Sequence, residues 1–307
     1  MSTWTVFQQM LIMIIIIIIG YCVHKKGFIG EEGAKNMSFL VLNITNPAFV
    51  ISSAFSEDVT VTHDEIIFAL VLTVVFYIVL TAFGHVLPYI LGAKKGDRVS
   101  YTMLCIYSNV GFIGIPVVSA VLGGNALMYV TVFNIIYTLL FYSHGYMCML
   151  KGVRKAHYKL SVKSFINIGT VAAIIAIIIF WFDIKLPAFV EDTVTYIGRA
   201  TTFMAMIVLG ISFAKLPIKK LLCNVRIYIM EAVRFVVFPI AITLIMKTLI
   251  DNEIAVYTVA LMAAMPAGNS PLMLATRYDL NTDTMSSGIL VSTVLSVITV
   301  TLTMLVI

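Results

Sequence analysis

Two short stretches, "NVGFIGIP" and "MPAGNSP", place asparagine, glycine and proline inside segments that are otherwise apolar. The first begins at Asn109 and the second at Met265. Proline lacks an amide hydrogen and glycine weakens a helix, so each stretch predicts a break in a helix. A helix that resumes after a break begins with unpaired amides and a partial positive charge, which together favour an anion. The two stretches therefore predict a site for a negatively charged ligand.

The candidate ligand-binding residues come mainly from these breaks. Pro116 and Pro271 suit the first turn of a resumed helix, where no amide donor is needed, and Ser270 suits the N-cap before Pro271. Asparagines in "LNITNP" and before "IIYTLLFY" could face a cavity or simply bond across helices. We predict no catalytic residue and no metal ligand. The predicted substrate-binding residues are Asn46, Asn109, Gly111, Pro116, Asn134, Arg199, Arg234, Pro266, Gly268, Asn269, Ser270 and Pro271.

The elements that position these residues must lie in lipid. Of the 307 residues, 61% are hydrophobic and 11% are charged, whereas soluble domains carry about 25% charged residues. Because about 20 apolar residues cross a bilayer, the chain predicts an all-α membrane protein with ten spans. The predicted spans are Trp4–Val23, Asn36–Phe55, Asp64–Leu91, Val99–Val121, Ala126–Leu150, Ser164–Phe182, Pro187–Ala214, Val225–Ile250, Ile254–Tyr278 and Thr282–Ile307.

The basic residues predict how these spans are oriented. Sixteen of the 20 Lys and Arg residues fall in the odd-numbered loops, whereas the opposite side carries only Lys185 and Lys247. Basic loops face the cytoplasm, so we predict a plasma-membrane protein with both termini outside. No Lys or Arg precedes the first apolar helix, which argues for a retained span rather than a signal peptide. The net charge of +5 then reflects contact with anionic lipid, not nucleic acid.

The spacing of the breaks predicts an inverted repeat. Pro116 and Pro271 are 155 positions apart, which divides the chain into five-helix halves at residues 1–155 and 156–307. Because five is odd, the second half must sit upside down, as in secondary transporters with midplane sites. At about 1.5 Å per residue, both breaks fall near the middle of a bilayer core about 30 Å thick. We therefore predict that the fourth and ninth helices are broken and cross at mid-membrane.

Three charges within the spans are functional candidates because a charge in lipid is costly. Arg199 lies about twelve residues into the seventh predicted helix, which at a rise of about 1.5 Å per residue places it near the middle of the membrane. Glu231 and Arg234 share a face of the eighth helix and could either pair with each other or serve function. The four cysteines and five histidines show no metal-ligand spacing, and no catalytic or phosphate-binding motif is present. We therefore predict no cofactor and no enzymatic activity.

The two breaks also carry a resemblance to a known family. "SNVGFIGIPV" is similar to the broken fourth helix of the auxin efflux carriers, which include the plant PIN proteins. "AAMPAGNSPLMLATRYDLNTDTMSSGILVSTVLSVITV" resembles the ninth and tenth helices of that family, with its prolines at Pro266 and Pro271. The chain lacks the long cytosolic loop of the plant proteins and is similar to short prokaryotic members labelled malate or malonate permeases.

The resemblance implies a dimeric elevator-type carrier with its substrate at the crossing of helices 4 and 9. Helices 1, 2, 6 and 7 would form a scaffold, and helices 3–5 and 8–10 a moving transport domain. We therefore expect a secondary carrier of a small organic anion, a carboxylate such as malate or an auxin. The alternatives are a sodium- or proton-coupled carrier on a similar scaffold and a membrane sensor that does not transport.

Overall fold

The computed structural model describes residues 3–55, 61–150, 168–215, 224–277 and 280–306. These residues are almost entirely helical, with one isolated backbone bridge in place of a sheet. The long basic loop at 151–163 lies outside the described residues. The helices are α1 Thr3–Lys25, α2 Glu31–Phe55, α3 His63–Ile90, α4 Arg98–Ile106, α5 and α6 together Val110–Met149, α7 Ile168–Trp181, α8 Ala188–Ala214, α9 Val225–Leu249, α10 Glu253–Ala264, α11 Ser270–Arg277 and α12 Asp283–Met304.

The described helices confirm an all-α membrane protein. Seven helical stretches are long and apolar enough to cross a bilayer, and the shorter apolar helices α7 and α10 add to them. The boundary between α5 and α6 is Gly123, whose φ of +77° is left-handed and suits glycine. This residue lies in the gap that the sequence predicts between its fourth and fifth spans. The second span begins earlier than predicted, at Glu31 instead of Asn36.

Three wide turns of π-helix share one cause. The turns at Val41–Thr45, Val110–Gly114 and Val233–Val237 each end two residues before a proline, namely Pro47, Pro116 and Pro239. A proline cannot donate to the carbonyl four residues back, so the helix widens by one residue before it. A fourth π-turn, Phe141–Gly145 in α6, precedes no proline.

Glycines bring α1, α2 and α8 into close contact. A side chain at Gly20 would collide with the backbone of Ile207, and one at Gly210 would collide with the backbone of Ile17. Gly198 of α8 similarly packs against the backbone of Phe49 in α2. Small residues allow membrane helices to approach closely, and dispersion then holds them together. These three helices therefore form a tightly packed group beside the broken helices.

Side chains at two helix starts fix the ends of α3 and α10. Thr62 and Glu65 form a capping box, in which the Thr62 hydroxyl accepts from the Glu65 amide and the Glu65 carboxylate accepts from the Thr62 amide. Asn252 caps α10 by accepting from the Ala255 amide at 2.9 Å, and its side-chain nitrogen donates to Glu65. It also donates to the Tyr129 hydroxyl in α6. One asparagine therefore links α3, α6 and α10.

Candidate substrate-binding site

The two interrupted helices meet at a short antiparallel bridge. The amide of Asn109 donates to the carbonyl of Pro266 at 2.7 Å, and the amide of Gly268 donates to the carbonyl of Tyr107 at 2.8 Å. Ser108 and Ala267 are the paired residues between them. The bridge satisfies backbone groups that have left both helices, as is required away from water. The breaks predicted from the sequence are therefore joined to each other by backbone hydrogen bonds.

The two prolines of the interrupted helices take different positions in the helices that follow the bridge. Pro271 is the second residue of α11, as expected for a resumed helix. Pro116 lies in the first turn of the regular α-helical part of α5, but this part follows the π-turn that opens α5 at Val110, so the helix resumes six residues before the proline. The helix resumes earlier because Asn109, not proline, begins it.

Asn109 is the N-cap of the resumed helix α5. Its side-chain oxygen accepts from the amide of Phe112 at 3.1 Å, which satisfies one of the unpaired amides of the first turn. Its side-chain nitrogen is buried and has no hydrogen-bond partner in the described part of the chain. On the second break, α11 begins at Ser270, and the carbonyl of Asn269 accepts from the Met273 amide. Asn269 thus occupies the position before the helix that the sequence assigned to Ser270.

Arg234 lies behind the bridge and is completely buried. Its Nε donates to the carbonyl of Cys105 at 2.5 Å, and its Nη1 donates to the carbonyl of Ala263 at 2.6 Å. Its Nη2 donates to the hydroxyl of Ser108 at 2.9 Å. Cys105 is in the last turn of α4, and Ala263 is in the last turn of α10. One guanidinium therefore binds the C-terminal ends of both incoming half-helices.

This arrangement leaves two partly positive helix ends at the crossing. Four helix ends meet there, of which the C-terminal ends of α4 and α10 are partly negative and the N-terminal ends of α5 and α11 are partly positive. The charge of Arg234 offsets the negative ends through charge-assisted hydrogen bonds. The two positive N-terminal ends have no such counter-charge on the residues that line the adjoining cavity. An anion is the ligand that these ends favour.

Glu231 and Arg234 interact through their charges but do not form the hydrogen-bonded pair that the sequence allows. All three donor nitrogens of Arg234 bond to other groups, and both carboxylate oxygens of Glu231 are buried without a hydrogen-bond partner among the described residues. The two residues share a face of α9, as their spacing predicts. However, Arg234 extends toward the backbone carbonyls at the crossing.

A cavity of about 460 Å³ adjoins the bridge. Its described lining contains no charged side chain and combines amides, hydroxyls and aromatic rings. Volumes of this size are typical of small-molecule sites with a few oriented polar groups. The described lining residues are Leu42, Asn43, Asn46, Ser108, Asn109, Val110, Gly111, Phe112, Asn134, Tyr137, Thr138, Phe141, Tyr142, Tyr146, Ile168, Gly169, Gly268, Asn269, Ser270, Met273 and Leu274.

Two cavity-lining asparagines carry polar atoms without partners in the described residues. They are the buried side-chain nitrogen of Asn109, a donor, and the buried side-chain oxygen of Asn46, an acceptor. A buried polar group without a partner costs about 1–3 kcal/mol, so such groups call for a ligand or an ordered water. Asn46 comes from α2 and Asn109 from the bridge. Helix α2 and the bridge thus each present a polar atom without a partner to the same cavity.

The structure brings seven of the predicted site residues together and leaves five outside the cavity wall. Pro266 contributes its carbonyl to the bridge, and Arg234 reaches the cavity only through Ser108. Arg199 is exposed on α8 and does not line the cavity. Pro116 and Pro271 shape their helices without lining the cavity. The seven that line it are Asn46, Asn109, Gly111, Asn134, Gly268, Asn269 and Ser270.

Several lining residues were not in the predicted set. Ser108 precedes the first break directly, and its hydroxyl oxygen accepts from Arg234, which leaves the hydroxyl hydrogen for another acceptor. Tyr137, Phe141 and Thr138 lie on one face of α6. Their signal was the polar and aromatic spacing in "IIYTLLFY", where residues three and four apart share a face.

The sequence is similar to those of membrane transporters over almost its whole length. The family model described as "Membrane transport protein" matches residues 5–304. An uncharacterized transporter of Methanothermobacter thermautotrophicus is 24% identical and covers 96% of each chain. An uncharacterized transporter of Methanocaldococcus jannaschii is 27% identical and covers 95% of this chain and 96% of its own. The chain therefore belongs to the membrane transport protein family, which is the auxin efflux carrier family that its sequence resembles.

Proposed function

We propose that this transporter is a secondary carrier of a small organic anion, a carboxylate. The observation that carries the proposal is the charge arrangement at the crossing. Arg234 binds the negative ends of two half-helices, and the positive ends of the other two open on an uncharged cavity. A carboxylate would accept hydrogen bonds there from first-turn amides, from Asn109 and from Ser108. The aromatic rings of the wall leave room for an apolar body on the same ligand.

The position of the cavity favours an elevator-type cycle. Its wall includes Leu42, Asn43 and Asn46 of α2 and Ile168 and Gly169 of α7, and these helices would belong to the scaffold together with α1 and α8. The rest of the wall comes from the broken helices and α6, which would belong to the moving domain. A ligand between two such groups can be carried when one slides past the other. Ten spans arranged as inverted five-helix halves, and a dimer held by the scaffold, complete this proposal.

Arg234 also bears on the cation-coupled alternative. The carbonyls at the ends of broken helices are common ligands for sodium in transporters. Here the carbonyls of Cys105 and Ala263 accept from Arg234. A sodium ion at these carbonyls would have to displace a buried guanidinium. Uncoupled anion transport, or coupling at another position, fits the crossing better.

Flux into proteoliposomes tests the proposal directly. Purified protein is reconstituted, and uptake of radiolabelled malate, malonate and indole-3-acetate is compared with uptake of an uncharged amide analogue of each. We expect saturable uptake of at least one carboxylate and none of its amide. Binding without uptake would favour the sensor alternative. Uptake that requires an inward sodium or proton gradient would favour the coupled alternative.

Asn109 provides a prediction that separates binding from folding. Asn109→Asp keeps the N-cap, because Asp and Asn cap equally well, but it places a negative charge beside the proposed anion. We expect normal folded yield and a loss of carboxylate affinity of at least tenfold, or about 1.4 kcal/mol. Asn109→Ala and Asn269→Ala should each weaken binding by losing a polar contact to a charged ligand, worth about 1.5–3 kcal/mol.

The matched control for this substitution is Asn36→Asp, which makes the same chemical change on an exposed part of α2. Its affinity should equal that of the unmodified protein. Affinity is measured by isothermal titration in detergent, and folded yield by size-exclusion chromatography. Unchanged affinity in Asn109→Asp would remove the crossing from the binding site.

A further inference from the structure

Three metal-binding side chains converge outside the cavity, between α3 and α6. They are His85, His144 and Cys148, whose potential ligand atoms all lie within 4.8 Å of one another. The Nε2 atoms of His85 and His144 are 2.8 Å apart, and the Cys148 sulfur is 3.2 Å from the same nitrogen of His144. The geometry points to a binding site for a divalent transition metal, zinc first, that joins α3 to α6.

The hydrogen bonds of Tyr107 favour one tautomer of His144. The Tyr107 hydroxyl lies 3.1 Å from the carbonyl of Leu140 and donates to it, so its oxygen accepts from Nδ1 of His144 at 2.9 Å. With its proton on Nδ1, His144 presents a lone pair at Nε2. An outer hydrogen bond of this kind fixes the tautomer and the ring orientation of metal-ligating histidines.

This lone pair has two competing neighbours. Without a metal, either the Nε2 proton of His85 or the thiol proton of Cys148 can bond to His144 Nε2, but one lone pair in the ring plane accepts one proton well. A cation at the centre removes the competition, because it accepts a lone pair from each of the three groups. On binding, the thiol loses its proton and both imidazoles remain neutral.

Two of the three ligand separations require only a small adjustment for zinc, and the third, between His85 and Cys148, lies within 4.8 Å. Zinc binds nitrogen at about 2.0–2.1 Å and sulfur at about 2.3 Å in a tetrahedron, which sets the ligand atoms about 3.3–3.6 Å apart. The observed separations of 2.8 and 3.2 Å must therefore widen by a few tenths of an ångström. The exposed His85 can supply this movement by rotating its side chain. Three protein ligands leave a fourth position for water.

The local helix structure supports the site. His144 and Cys148 are four residues apart and so lie on one face of α6. His144 belongs to the π-turn Phe141–Gly145, which precedes no proline, unlike the other three π-turns. Such turns often occur at functional sites. The sequence shows no compact set of metal ligands, because the third ligand, His85, is 59 residues away from His144.

The ligand chemistry selects the metal. Imidazole and thiolate together suit zinc, whereas magnesium and calcium require oxygen ligands. Tyr107 belongs to both the metal cluster and the crossing, because its carbonyl accepts from the amide of Gly268. The metal therefore would bind beside, and not inside, the proposed carboxylate site.

Zinc titration of tag-free protein tests the inference without measuring transport. In competition with a chromophoric chelator, we expect one zinc per chain at micromolar or tighter affinity. Cys148→Ser and His144→Gln should each weaken it at least tenfold. The double variant Cys22→Ser, His24→Gln should bind as the unmodified protein does, because it removes another histidine and cysteine that lie outside the cluster. Zinc should raise the Tm of the unmodified protein and of this control, but not of Cys148→Ser.

Cobalt gives an independent readout of the sulfur ligand. Co²⁺ should produce a thiolate-to-cobalt absorption band that disappears in Cys148→Ser. If His144→Gln does not fold, His85→Gln replaces it, since His85 is exposed. The inference is overturned by the absence of stoichiometric zinc, or by zinc binding that both ligand substitutions leave unchanged.

Discussion

Replacing Arg234 with Met should abolish carboxylate binding and lower the Tm of the protein. Arg234 is wholly buried and donates to two helix-end carbonyls and to Ser108. A hydrogen bond to a charged group contributes about 1.5–3 kcal/mol, so the loss of several exceeds the effect of an ordinary surface substitution. Without the cation, the negative ends of α4 and α10 would no longer be offset. We expect the carboxylate affinity to fall more than a hundredfold.

A lysine at this position separates charge from shape. Arg234→Lys keeps the positive charge but cannot span three acceptors with a planar fork. We expect an intermediate result, with a smaller decrease in Tm than for Met and about a tenfold loss of affinity, equivalent to about 1.4 kcal/mol. Arg226→Met is the matched control, because it removes an exposed arginine from the same helix. Arg234→Met with an unchanged Tm and affinity would refute the electrostatic account of the crossing.

The breaks could be predicted from the sequence because their cause is local. Proline and glycine disrupt a helix wherever they occur, and an apolar background makes the disruption visible. Asn109, Gly268 and Asn269 follow from the same signal, and all three line the cavity. Pro116 does not mark the start of α5, because that start is set six residues earlier by the asparagine cap and a π-turn. The effect of a proline is local, but the point where a helix resumes is not.

The role of Arg234 could not be predicted for a different reason. The sequence offers charged side chains as partners for a buried arginine, and Glu231 is the nearest one along the chain. Two of the three hydrogen-bond partners of Arg234 in the structure are backbone carbonyls, at positions 105 and 263, which every residue possesses. They become acceptors for a cation only because two helices end at the same place. The register of the bridge likewise depends on tertiary packing.

Gly268→Ala should break the bridge between the two interrupted helices. A Cβ at this position would lie 2.8 Å from the carbonyl oxygen of Ser108 and 3.1 Å from that of Tyr107. Both contacts are with backbone, which cannot rotate away as a side chain can. Forcing atoms into such a packed site costs about 1–3 kcal/mol. The bridge hydrogen bonds of Gly268 and Asn109 would separate, so we expect a lower Tm and carboxylate uptake below a tenth of normal.

Gly111→Ala is the matched control for the stability part of this prediction. It makes the same substitution in the same cavity wall, but its Cβ would meet no atom within 4 Å. Its Tm should equal or exceed that of the unmodified protein, because alanine is favoured over glycine in a helix. The Tm is measured by differential scanning fluorimetry and uptake in proteoliposomes. If Gly268→Ala matched Gly111→Ala in Tm and retained full uptake, the close approach of the two backbones at Gly268 would not be needed to hold the crossing together.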